Sequence, residues 1–190
     1  FIYKLHEGNS FKENKTYSYN RFKGYWQDSK YIYNSKEFLL NGLSKNSIYK
    51  KKTKNKQPES NTLIHIRKGD YIAWNEDLPD EYFIKALSEL KNVNESITYD
   101  IFTDEQNIDK NLDLYKNAKN IFNNLDEKPL SLLSRMQNYK YYIISNSSLS
   151  FFAAYLADSK NSLTLFPHPW FKSIEHTPDK NLNWLPINYE

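Results

Sequence analysis

Leu63-Ile64-His65-Ile66-Arg67-Lys68-Gly69-Asp70-Tyr71 is the stretch on which the fold turns. Four mostly apolar residues run straight into a charged, glycine-containing turn, the pattern of a short buried strand that stops abruptly. The pattern recurs downstream. Tyr99-Asp100-Ile101-Phe102 and the runs at 118–122, 141–144 and 162–166 read as four more strands. Residues 82–91 place Phe83, Ile84, Leu87 and Leu90 at helical spacing behind Pro79 and Asp80. Residues 108–115, 129–139 and 150–157 read as further helices, the second with Leu130, Leu133 and Met136 on one face. Strands alternating with helices predict an α/β domain, a doubly wound parallel sheet covering residues 61–190.

Upstream the periodicity fades. Residues 1–60 read as loops and short helices around Lys23-Gly24-Tyr25-Trp26-Gln27, and end in Lys50-Lys51-Lys52-Thr53-Lys54-Asn55-Lys56-Gln57-Pro58. A charge run stopped by proline reads as a solvated linker; the sharper reading is peripheral contact with an anionic membrane surface. The chain opens at Phe1, so the expectation is either a removed leader or the back part of a longer protein.

Composition narrows the function. The 190 residues include no cysteine, which excludes zinc ribbons, iron-sulfur sites and thiol nucleophiles and leaves a reducing, cytoplasmic setting as the expectation. A formal charge of +3 does not suggest nucleic acid as a partner. Mean hydropathy is −0.82 and 16 residues are tyrosine, so the chain is polar yet aromatic. No apolar run approaches the ~20 residues of a membrane span.

In an open α/β sheet, ligands bind beyond the carboxyl ends of the strands. There the sequence offers Arg67 to Tyr71, then Thr103-Asp104-Glu105, then Ser145-Asn146-Ser147-Ser148-Leu149-Ser150, then Pro167-His168-Pro169-Trp170. Residues 145–150 pass from strand into helix, so their N–H groups and hydroxyls suit a diphosphate; ordinary N-capping would need one such residue, and five stand within six. Arg67 can hold two phosphate oxygens in a fixed fork, or pair with Asp70, or both. His65 sits inside an apolar strand and reads first as a satisfied core histidine. Asp104 could accept the two adjacent donors of a guanine edge, or belong to a plain turn. No Gly-x-Gly-x-x-Gly follows a strand, and neither a Walker loop nor a Gly-x-Ser-x-Gly elbow is present. No Asp-x-Asp follows a strand, so neutralising a diphosphate would fall to Arg67 and amide dipoles rather than to a metal.

Residues 65–71 resemble the His-x-Arg-Arg-Gly-Asp-Tyr motif of the α-1,2-fucosyltransferases of glycosyltransferase family 11. Ile101-Phe102-Thr103-Asp104-Glu105 is similar to that family's Phe-Ser-Asp-Asp block, and residues 144–156 resemble its Asn-Ser-(Ser/Thr)-Phe-Ser-Trp-Trp block. Residues 167–171 resemble its Pro-x-x-Trp-Phe, and residues 24–31 its Gly-Tyr-(Phe/Trp)-Gln block. The resemblance implies a GT-B-like, inverting enzyme that needs no metal or cofactor. Its donor would be GDP-fucose and its acceptor the 2-hydroxyl of a galactose-terminated oligosaccharide or glycolipid. By motif, Arg67, Asp70 and His65 would be catalytic. Arg67, Gly69, Asp104, Asn146, Ser147, Ser148 and Ser150 would bind donor. Asp70 is also a candidate general base, although pairing with Arg67 would make it a weak one.

Three departures accompany the match. Lys68 stands for the second arginine, Phe151-Phe152 for the tryptophan pair, and Glu105 for the second aspartate. The family's glycine-rich Gly-Gly-Leu-Gly-Asn-Gln block has no counterpart, so the expectation is a donor-binding domain behind a remnant, residues 1–60, of the acceptor side.

Overall fold

The computed structural model describes residues 4–7, 20–23, 35–49, 58–123, 126–157, 162–173 and 182–189. The block at 24–31 and the lysine run at 50–57 lie outside them. Strands β1 (Lys4–Glu7) and β2 (Asn20–Lys23) pair in parallel as a small sheet of their own. The main sheet has six parallel strands: β3 (Thr62–Ile66), β4 (Tyr99–Thr103), β5 (Asn120–Asn123), β6 (Tyr141–Ile143), β7 (Leu163–His168) and β8 (Leu185–Asn188). Their order, β5-β4-β3-β6-β7-β8, runs outward from β3 to one edge and then returns to its other side. β3 and β6 are therefore neighbours at the switch point where such sheets open a crevice.

Alternate side chains of these strands enter two cores. Ile64, Ile66, Ile101, Ile143 and Leu165 face one side, which α3 (Asp80–Val93) covers with Tyr82, Phe83, Ala86, Leu87 and Leu90, all buried. Each large side chain removed from water there stabilises the fold by roughly 1.5–3 kcal/mol. Leu63, Phe102, Tyr142 and Phe166 face the other side, covered by α5 (Pro129–Met136) and α6 (Ser148–Leu156). Helix α1 (Lys36–Ser44) lays Leu39, Leu40 and Leu43 against this second core, and Lys36 Nζ donates to the carbonyl of Ala157 at 2.6 Å. Strands buried on both faces show no polar alternation, which is why the sequence reads as short apolar runs.

The structure departs from the sequence reading at five elements. β1 and β2 are strands where residues 1–60 read as loops and short helices. β8 is a sixth strand hidden by Pro186, which a ladder tolerates at the sheet edge that β8 forms. The helix expected at 108–115 shrinks to α4 (Asp113–Lys116), because Asp109 turns the chain first: its carboxylate accepts the Asn111 N–H at 2.9 Å. A short helix, α2 (Gly69–Ala73), forms inside the turn after β3. Among the described residues no helix is long and apolar enough to cross a membrane.

Candidate active site

Arg67 is the centre of the turn after β3. Its Nη2 lies 2.6 Å from Asp70 Oδ1 and its Nη1 2.5 Å from Asp104 Oδ2, so one guanidinium bridges two carboxylates from different strand ends. Asp104 also accepts the Lys68 N–H through Oδ1 at 2.8 Å. The carboxylate that the sequence sends toward a guanine edge thus has both oxygens on the chain's own donors. This packing requires Gly69, since a Cβ there would collide with Asp104 Oδ2. Half-exposed pairs of this kind contribute at most about 1 kcal/mol to stability. Their effect is to fix the direction in which the fork points.

Across the switch point, the polar stretch after β6 opens α6. Ser147 is the N-cap residue, yet it makes no side-chain capping bond. The Ser150 hydroxyl bonds backward, 3.2 Å from the carbonyls of Ser145 and Ser147. Neither serine hydroxyl therefore performs the capping that would explain so polar a turn, and the helix N-terminus keeps its pull on anions. Ser148 begins the helix and is half-buried.

Two side chains tie the turns together. His65, in β3, shares a 2.9 Å hydrogen bond between Nδ1 and Ser145 Oγ. Burial, and secondarily the Arg67 charge, push its pKa down to about 3, so the ring is neutral near pH 7 and brings no charge to an anion. The Tyr71 hydroxyl donates to the Asn146 carbonyl at 3.1 Å, while its ring lies 5.5 Å from the Arg67 Cζ. Tyr71 thus spans the two halves of the site. Nothing beyond its place in the motif marks it in the sequence.

The remaining residues of the blocks divide into inward-turned and structural groups. Lys68 points away from the fork: its Nζ donates to the Leu78 carbonyl at 2.7 Å and lies 3.5 Å from Asp77 Oδ2 and 3.7 Å from Asp80 Oδ1. Glu105 accepts the Tyr115 hydroxyl at 2.6 Å, tying β4 to α4. Trp170 is fully buried beside Phe151 and Phe166, so the 167–171 block packs the core, and Phe151 replaces a tryptophan at a packing position.

The fold and site define a class: a parallel nucleotide-binding-type sheet with a guanidinium fork and an uncapped helix N-terminus facing its switch point. A family model described as glycosyl transferase family 11 matches residues 3–188, and the chain belongs to that family. It is 30% identical over 188 residues to an alpha-1,2-colitosyltransferase of Escherichia coli, the match covering 87% of this chain and 62% of the relative. It is 26% identical over 165 residues to the O-antigen biosynthesis glycosyltransferase WbnK of the same species, covering 82% of this chain and 53% of that one. The chain thus spans little more than half the length of the curated relatives it matches.

Proposed function

We propose that this chain is the donor-binding part of an inverting, metal-independent α-1,2-glycosyltransferase that uses a GDP-sugar, moving L-fucose to the 2-hydroxyl of a terminal galactoside. The carrying observation is the juxtaposition of the Arg67 fork with the start of α6, held by Tyr71 and by the bond between His65 and Ser145. An arginine fork and a helix N-terminus are both diphosphate-binding devices. Family membership supports a sugar donor.

In the reaction, the acceptor hydroxyl oxygen bonds to the sugar C1 as the bond from C1 to the β-phosphate oxygen breaks, through an oxocarbenium-like transition state. Negative charge gathers on the departing diphosphate. Fixed donors aimed at that charge lower the barrier most, and Arg67, already oriented by two carboxylates, is such a donor. The acceptor proton needs a base. Asp70 is the candidate at hand, and its Oδ1 accepts a hydrogen bond from Arg67.

Calorimetry with GDP, ADP and UDP tests the nucleotide: the expected result is clear binding of GDP and weaker binding of the others, and equal affinity for all three would overturn it. Transfer to lactose, assayed with this chain and with a longer form beside it, tests the reaction. The name of one relative favours a second sugar, so GDP-colitose belongs in the same assay against GDP-fucose. Binding of GDP without transfer by either form would reduce the protein to a nucleotide-binding module.

A further inference from the structure

Glu76 belongs to none of the motif blocks, yet it is bonded to two of them and to the segment that follows a third. It lies between α2 and α3 in a loop turned by Asn75, whose φ of 56° is left-handed. Its N–H donates to the Tyr71 carbonyl at 2.9 Å, on the turn after β3. Its own carbonyl accepts Asn146 Nδ2 at 2.8 Å, on the turn after β6. Its carboxylate, 7% exposed as a residue, accepts the N–H groups of Lys172 at 2.7 Å and Ser173 at 3.0 Å, just past the 167–171 block. The strap is doubled at Asp77, whose carbonyl accepts Lys172 Nζ at 2.7 Å.

Burying a carboxylate is costly unless hydrogen bonds replace its water, and here both oxygens are matched to backbone N–H groups rather than to a cation. An apolar side chain would avoid the carboxylate's desolvation but would leave the Lys172 and Ser173 N–H groups without this acceptor. What the carboxylate adds is geometry, since it fixes the loop whose carbonyl fixes Asn146. Asn146 is fully buried, and its Oδ1 has no hydrogen-bond partner among the described residues, so its orientation depends on the bond to Glu76.

We propose that Glu76 is a positioning residue for the nucleotide site, coupling the segment after β7 to the Asn146 turn and so holding the start of α6 in register with Arg67. The proposal rests on the reading of that turn as the diphosphate seat. It extends the site to a segment that follows β7.

The test is GDP affinity, by calorimetry at a temperature where each variant is folded, for the unaltered chain and for Glu76→Gln, Glu76→Asp and Lys172→Met. Glutamine has nearly the same shape but turns an NH2 toward one of the two N–H donors. Glu76→Gln is expected to bind GDP about tenfold more weakly or worse, the scale of a lost hydrogen bond to a charged group. Glu76→Asp, which keeps both oxygens, is expected to recover part of that loss, and Lys172→Met, which removes the second tie to Asp77 but leaves the backbone N–H bond to Glu76 in place, to lose less than Glu76→Gln. A folded Glu76→Gln chain within twofold of the original overturns the proposal. So does a Glu76→Gln chain that cannot fold, which would assign the residue to stability alone. If the unaltered chain binds no GDP, the reading of the seat fails first and visibly, and the positioning role falls with it.

Discussion

Arg67 and Asp104 meet directly over the Cα of Gly69, and the two readings of Asp104 make opposite predictions there. If the carboxylate aims the fork, Asp104→Asn weakens GDP and ADP together, about five- to tenfold, and leaves their ratio unchanged. If it reads guanine, the ratio collapses while affinity for the diphosphate persists. Paired calorimetric titrations decide between them. At this scale Arg67, Asp70 and the 145–150 turn are legible in the sequence, because strand spacing alone sends them to the same end of the sheet. Glu76 is not legible. Its carboxylate answers N–H groups 96 and 97 positions away, and Asn-Glu-Asp reads as any polar turn. Lys68 was legible as a cation, but its burial against Asp77 and Asp80 depends on a loop whose path no local pattern reports.

Among the elements, α6 makes the sharpest prediction. An N-cap serine normally contributes about 1 kcal/mol through its side-chain bond, and Ser147 makes none. Ser147→Ala is therefore expected to change unfolding stability by less than about 0.5 kcal/mol in urea titrations. A loss near 1 kcal/mol would restore the capping reading of the whole turn. The core-facing helices were read correctly because their apolar spacing is dictated by the sheet they cover. Those that apolar spacing does not report, α2 and α4, are short pieces, the second delayed by the Asp109 side-chain turn, and β8 carries a proline that speaks against a strand everywhere except at an edge.

For the whole molecule, His65 links the site to global stability. Its pKa is near 6.5 in an unfolded chain and is pushed down to about 3 by burial in the fold. The unfolded chain thus takes up a proton that the folded chain refuses. Stability is full above pH 6.5 and falls as the pH drops toward 3, by up to roughly 1.4 kcal/mol per unit. Between pH 7.5 and 5.5 the unaltered chain is expected to lose about 1.3 kcal/mol more than His65→Asn, measured by urea unfolding at both values. Equal losses would mean that the ring is protonated in the fold. The overall architecture was legible because six parallel strands and their covering helices repeat one pattern, whereas the joints between repeats were not. One such joint bears on the resting state of the protein. Of the two carboxylates on Arg67, the Asp104 side chain is 16% exposed and that of Asp70 45% exposed. Asp70 is the more open of the two partners, a tethered carboxylate at high effective concentration with which a visiting anion competes for the exposed side of the fork. Small free anions, with a single handhold, lose that exchange. A diphosphate that grips the start of α6 at the same time has a second, and the arginine is thereby reserved for it.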